Sequence, residues 1–480
     1  MNLRRVTPFV LVAVAIGAIV YADDGARSDA TPTFSVFDSA GTPVIPGDES
    51  SITTSWFCGG TSAAGDSGSG LYSGEIVLSN PTDVAVQGTV TVLTADGEPV
   101  ESRVVVDPRG QTIIDVRSLV DSSYASTVVE LDSSFVAVEQ RALHPAGSAV
   151  APCANATSDE WHFADGFTFD GSDFRLILTN PYLSAAIVNV SVATEDGPRT
   201  PSNLQGYVVP ARSIRVVNVA EAGFRDEKVL AVSVVAESGR FVAAKDQHYL
   251  GGGRLGHINA LGAPAASSQW WFADGEKGPG ISERYSIYNP TDEVAQASVL
   301  VLGLGQVDTT LPPASLSVPA HEVVTVDTST IEGLPDGAHA MLISSETGSD
   351  LVVERVITRP AADYVATTTV LGVMGGYTSE RWRIPTSTSI AIEDVLIVLN
   401  TSGESGTFTV FSVGPGGEEP VPGLTDVVLG PNSVVSVDLI DPLAFGRPLV
   451  VAGDRPLVVE RRLERTATLR GRSGSLAFPE

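Results

Sequence analysis

The sequence predicts an all-β protein: four tandem immunoglobulin-like β-sandwich repeats of about 105–112 residues behind an N-terminal export segment. Three observations predict this class. The five tryptophans fall in four regularly spaced places, Trp56, Trp161, Trp270–Trp271 and Trp382. Between them apolar residues alternate with polar ones at period two and are rich in Val and Thr, as at Val90 and Val92, at Val188, Val190 and Val192, and at Val435, Val437 and Leu439. That period belongs to half-buried strands. Turn residues punctuate the runs, with Asp96-Gly97 and Asp196-Gly197 as hairpin tips and Asp107-Pro108, Val209-Pro210, Val318-Pro319 and Gly430-Pro431 between Val-rich stretches.

Taken in order, residues 1–22 begin with Arg4-Arg5, continue without a charge from Val6 to Ala22, and end in Val20-Tyr21-Ala22. This is a signal peptide or signal anchor, and its apolar stretch of about 16 residues favours cleavage over spanning a bilayer. Residues 23–50, rich in Asp, Ser, Thr, Pro and Gly, read as a flexible leader. The repeats then occupy 51–158, 159–267, 268–379 and 380–480, each expected to hold about seven short strands. Every repeat carries three markers in one order. The first surrounds the tryptophan. The second is an apolar run ending at Asn80-Pro81, Asn180-Pro181, Asn289-Pro290 or Asn400-Thr401. The third is the segment at Val136–Arg141, Val242–Asp246, Leu351–Arg355 or Leu457–Arg461, in which Glu139, Glu354 and Glu460 recur and Lys245 stands in the second copy.

Composition narrows the function classes. With 57 acidic against 29 basic residues the net charge is −28. Lys228, Lys245 and Lys277 are the lysines, and no basic run is longer than the pairs Arg4-Arg5 and Arg461-Arg462, so no surface tracks a phosphate backbone and nucleic acid is excluded as a partner. Charge-driven attachment to anionic lipid is disfavoured, leaving residues 1–22, if uncleaved, as the membrane contact. Cys58 and Cys153, an even count in an exported chain, are expected to form a disulfide that clamps the two ends of the first repeat.

The markers resemble those of an uncharacterised family of exported actinobacterial proteins, a domain of unknown function. The likeness lies in Trp-x-Phe-Ala-Asp-Gly at Trp161 and Trp270, the Asn-Pro strand end, Val-Pro-Ala at Val209 and Val318, and Val-Glu-Arg at Val353 and Val459. It spans residues 51–480. It implies an envelope or secreted location and immunoglobulin-like architecture, and it brings no activity. The chain departs from the pattern where Cys58-Gly59 and Ile384-Pro385 stand in place of Ala-Asp.

Candidate chemistry is sparse. Trp56, Trp161, Trp270 and Trp382 are expected in strand cores, whereas Trp271, whose counterparts are Phe57, His162 and Arg383, is the candidate for an exposed platform that stacks on a sugar. Asp165 and Asp274, or Asp165 with Asp170 and Asp173, offer oxygens for calcium, yet their spacing fits no calcium loop and Asp-Gly is a turn dipeptide. Glu139, Glu354 and Glu460 with the nearby Arg141, Arg355 and Arg461 are expected to form surface ion pairs. The scattered His144, His162, His248, His257, His321 and His339 supply no zinc spacing. No Gly-x-Ser-x-Gly elbow occurs, and Gly251-Gly252-Gly253 lacks the Lys-Ser/Thr of a phosphate loop. The sequence therefore points to a non-enzymatic exported envelope protein without cofactor or metal, drawn out as a string of domains and acting as a spacer, scaffold or adhesion element toward an envelope protein. A tryptophan-lined module for cell-wall polysaccharide is the alternative.

Overall fold

The computed structural model describes residues 54–64, 73–304, 311–346, 348–361, 363–385, 393–466 and 469–480. The expected export segment 1–22 and the expected leader 23–50 lie outside them. Among the described residues every regular element is a β-strand or a single 3-10 turn.

In the first repeat β1 (Thr54–Ala63), β2 (Ser73–Ser79), β3 (Val86–Thr94), β4 (Val100–Val106), β5 (Gln111–Asp115), β6 (Ser122–Leu131), β7 (Ala137–His144) and β8 (Gly147–Pro152) form two antiparallel sheets. Their strand orders are β1-β6-β3-β4 and β5-β2-β7-β8. The same pair of sheets recurs three times. Counterparts of β1, which carries the tryptophan, are Glu160–Gly166, Gln269–Lys277 and Ser379–Ile384; those of β2 are Asp173–Asn180, Ser282–Tyr288 and Glu393–Asn400. Those of β8 are Gly256–Leu261, Val365–Leu371 and Leu469–Leu476. Those of β7, which holds the third marker, are Val242–Tyr249, Val352–Pro360 and the second half of Leu449–Thr466, one long strand that runs through both sheets of the fourth repeat.

Each marker has a local structural cause. Trp161, Trp270 and Trp382 are at most 1% exposed, and their indole N–H groups donate to the carbonyls of Phe241, Leu351 and Leu457 at 2.9, 2.8 and 3.1 Å. The ring fills the sandwich and its polar edge ties β1 to the start of β7, which a phenylalanine could not do. Trp56 is buried in the same place without that bond. The buried Asn at the end of β2 brackets two loops. Asn180 Nδ2 donates to the carbonyls of Ser184 and Val209 at 2.8 and 3.0 Å, and Oδ1 accepts the Tyr182 amide at 3.0 Å. Asn80, Asn289 and Asn400 repeat this arrangement. The asparagine, not the proline after it, holds the turn, which is why Thr401 can replace the proline. The tips at Asp96-Gly97 and Asp196-Gly197 are hairpin turns as expected, with Gly197 at φ 104°. At the proline turns a non-glycine residue takes the left-handed conformation in all four copies, at Arg109, Arg212, His321 and Asn432, costing roughly 1 kcal/mol apiece.

The repeats are not strung out. β8 packs against its counterparts in repeats two and four, and the counterpart in repeat three packs against both of those. The four last strands therefore enclose a common centre and the ring closes on itself. The cores continue across the joints. Phe57, Leu93 and Val128 of repeat one belong to the core of repeat two; Ala164, Ala193 and Ala231 of repeat two to that of repeat three; and Ala273, Ala340 and Val373 of repeat three to that of repeat four. Phe478 of repeat four closes the circuit, its ring 5.8 Å from that of Trp56. The period-two pattern correctly signals sandwiches, but it says nothing of neighbours that bury the outer faces as well.

Candidate functional site

The recurrent polar side chains converge on the joints between repeats. Strand register sets their true alignment. Opposite the residue four before the marker asparagine stand Gln140, Lys245, Arg355 and Arg461, and opposite the next residue stand Glu139, Ala244, Glu354 and Glu460. Lys245 thus corresponds to the arginines, and Ala244 takes the glutamate's place. This corrects the sequence alignment by one residue. The same register sets Cys58 and Ile384 at the position of Phe163, so that Gly59-Gly60 and Pro385 with Thr386 stand where Ala-Asp is expected; Thr386 lies outside the described residues.

These groups are buried, not on the surface as expected, and Lys245 and Arg355 each meet the carboxylate of the following repeat. Lys245 Nζ lies 2.7 Å from Glu354 Oε1, with side-chain exposures of 0% and 1%. Nζ also donates to the Asp165 carbonyl at 2.8 Å, while Glu354 Oε2 accepts the Asp165 amide at 2.7 Å. At the next joint Arg355 holds Glu460 through two parallel bonds of 3.2 and 2.7 Å, and Glu460 accepts the Ala273 amide at 2.6 Å. Burial disfavours Arg355's charge, but Glu460 and then Asp274 more than offset it and hold its pKa above the ordinary value. At the closing joint Arg461 is paired with Asp394 at 2.7 Å, and burial is again outweighed, by Asp394 with Glu139 of repeat one adding to it. Burial pushes the Glu354 carboxyl up, Lys245 countering it in part.

The joint between repeats one and two is built differently. Gln140 and Ala244 occupy the charged positions, and Gln140 does both jobs: Oε1 accepts the Gly60 amide at 3.0 Å and Nε2 donates to the Gly60 carbonyl at 3.2 Å and to Asn259 at 2.6 Å. A Cβ on Gly59 would meet that of Ala244 at 2.3 Å. Cation and carboxylate are thus lost together, and a glycine lets the neutral surfaces close.

The aspartates of the first marker are committed to these joints. Both lie inside a strand, so Ala-Asp-Gly is not a turn here. Asp165 accepts from Tyr249 and Ser286, each at 3.2 Å. Asp274 faces Arg359 at 2.8 Å and Arg462 at 2.7 Å. Burial raises the Asp274 pKa, but Arg359, Arg462 and Arg355 outweigh it and hold it below the ordinary value. Arginines thus stand where a calcium ion would. Among the described residues no three His, Cys, Asp or Glu side chains are arranged to hold a metal ion.

Cys58 and Cys153 form a disulfide with both residues fully buried. Their counterparts are Phe163 with Gly262, Phe272 with Gly372, and Ile384 with Ala477. A Cβ on Gly262 or Gly372 would lie 2.8 or 2.6 Å from the phenylalanine ring. Trp271, expected to face outward, is half-buried and packs on the core of repeat four. The last strands of all four repeats line a cavity of about 80 Å³, walled mainly by apolar side chains such as Ala149, Ala151, Ile258, Val370 and Leu476.

A family of unknown function, DUF5719, matches residues 136–253, from the third marker of repeat one to the same region of repeat two. No curated protein matches the chain. Among solved structures, Thermotoga maritima 1070 is similar at 15% identity and a TM-score of 0.20, over 23% of this chain and 95% of that one. A tetra-tandem repeat from the extending region of a large adhesion protein is similar at 15% identity and a TM-score of 0.12, over 83% and 93%.

Proposed function

We propose that the chain is a non-enzymatic exported envelope protein whose four-repeat ring serves as a scaffold or adhesion element. One observation carries this reading. The recurring tryptophans, asparagines, aspartates and Glu-Arg pairs are engaged in holding loops, sheets and neighbouring repeats together. Repetition here builds a stiff body, and the surfaces left for partners are the variable loops around it. The buried disulfide accords with an oxidising compartment.

The test combines location with binding. Brief protease treatment of intact host cells is expected to cut the chain, which remains with the envelope fraction; recovery of protected chain from the cytosol overturns the proposal. Purified chain is then sedimented with insoluble cell-wall polysaccharide beside Trp271→Ala. Salt-resistant pelleting that a folded variant loses would replace the scaffold with a carbohydrate-binding module.

A further inference from the structure

The centre of the ring has a wall but no filling. Ala149, Val150 and Ala151 of β8 and Val370 of its repeat-three counterpart are at most 7% exposed. Among the described residues none of the four belongs to any of the hydrophobic cores. They line the central cavity of about 80 Å³. One water needs about 10–15 Å³ of such space, so the room would take roughly six. Its wall does not suit them. Asn259 donates to the Gly60 carbonyl at 2.8 Å and accepts Gln140 Nε2 at 2.6 Å. Thr369 is bonded to the Tyr249 hydroxyl at 2.9 Å, and Ser473 Oγ accepts the Val150 amide at 2.8 Å. Among the described residues no lining side chain keeps a buried polar atom without a partner, and none of the lining side chains is charged. A buried water wants two to four polar partners and a sugar wants more, whereas this wall offers burial of apolar surface.

The strands set the shape of the room. Its lining follows consecutive residues along the last strands, as at Ala149–Pro152, Ile258–Leu261 and Ser473–Leu476. At the rise of a strand this is roughly 10 Å, long for the volume. Opposite Gln140, Lys245, Arg355 and Arg461 stand Ala151, Ala260, Val370 and Ser475, so three repeats bring a small side chain to one level and leave a narrow slot. Ala149, Ile258, Thr369 and Ser473 at one end are buried, whereas Pro152, Leu371 and Leu476 at the other are half-buried. The slot is therefore closed at its inner end and reached from its outer one.

We propose that this central slot binds an unbranched alkyl chain, methyl end innermost, carried by a lipid tail or by a free single-chain compound. The wall selects for apolarity and for a narrow cross-section, and with no charged side chain lining it a charged head group stays outside. A chain seated there touches all four repeats. Because the slot exists only when the last strands are brought together, binding stabilises the closed ring by mass action. This goes beyond the scaffold reading and holds whatever the outer loops present to partners.

Nuclear magnetic resonance of the whole chain with isotope-labelled methionine methyls tests this. Met374 lines the slot, Met341 is buried in the repeat-three core outside its wall, and Met1 lies in the expected export segment. Titration with decanol is expected to shift the Met374 methyl resonance saturably while Met341 stays in place. Adamantanol, apolar but globular, is expected to leave Met374 unmoved. Ala151→Leu, which puts bulk into the slot, is expected to weaken decanol binding at least ~10-fold; should that variant fold poorly, the adamantanol comparison on the wild-type chain carries the test. Phosphatidylglycerol vesicles in place of decanol separate the two sources: the same Met374 shift identifies a lipid tail, and its absence beside a decanol response identifies a free single-chain compound. No saturable Met374 shift up to the solubility limit of decanol, an equal shift of Met341, equal binding of adamantanol, or undiminished binding by folded Ala151→Leu each overturns the proposal.

Discussion

At the scale of single residues, the joints pose a controlled comparison within one chain. Two of them bury a cation against a carboxylate of the next repeat, and one has replaced both members by Gln140 and Ala244. Removing one member of a buried pair strands the other, at a cost of about 3–5 kcal/mol, whereas removing both is often close to neutral. Glu354→Gln is therefore expected to lower the urea midpoint of repeats two and three sharply. Lys245→Gln combined with Glu354→Ala, which copies the first joint, should recover most of that loss. Equal midpoints for the single and double variants would mean that the pair is not coupled. Asn180→Ala should cost a further ~2–3 kcal/mol, because two carbonyls and an amide lose their partner together; circular dichroism during thermal unfolding reads it. The recurrence of Glu, Arg and Asn was legible in the sequence. Their burial was not, because an alternating strand does not reveal that its second face meets another repeat. The one-residue slip at Lys245 arises because Val242-Ala243-Ala244 mimics the apolar triplets that precede Glu139 and Glu354.

At the scale of elements, the β1 strand and the tail after β8 meet in every repeat through one pair of residues: Cys58 with Cys153, Phe163 with Gly262, Phe272 with Gly372 and Ile384 with Ala477. The disulfide is one of several ways to fill the same gap. Cys58→Ser opens a loop of 95 residues, for which chain entropy gives a loss of about 4–5 kcal/mol. Cys58→Phe with Cys153→Gly should keep the two strands together and make thermal unfolding of repeat one insensitive to reductant. A double variant no more stable than Cys58→Ser would show that Phe over Gly cannot replace the bridge in this setting. An even cysteine count and the expected export segment sufficed to expect the bond. The phenylalanine–glycine equivalence stayed hidden, since the tail after β8 carries no marker of its own and a lone glycine reads as a turn.

At the scale of the molecule, the repeat, its period and its β class could be read from three markers, whereas closure could not. Ring formation rests on contacts between residues that are hundreds of positions apart, such as the Val150 amide with Ser473 Oγ at 2.8 Å. It also rests on small side chains along the last strands that look unremarkable one repeat at a time. This changes what an isolated repeat should do. Residues 268–379 alone would expose Arg355 without Glu460 and Asp274 without Arg462. That fragment is expected to be poorly structured by circular dichroism and to aggregate, and a monomeric, cooperatively melting product would show that the joints are dispensable. Closure has one more consequence. An open solenoid can gain or lose a repeat at either end and keep its interfaces, but a closed ring fixes the turn made at every joint. A fifth unit would have to re-angle all four existing seams at once. Variation in such a chain is therefore confined to loop length and loop sequence, while copy number is locked by geometry.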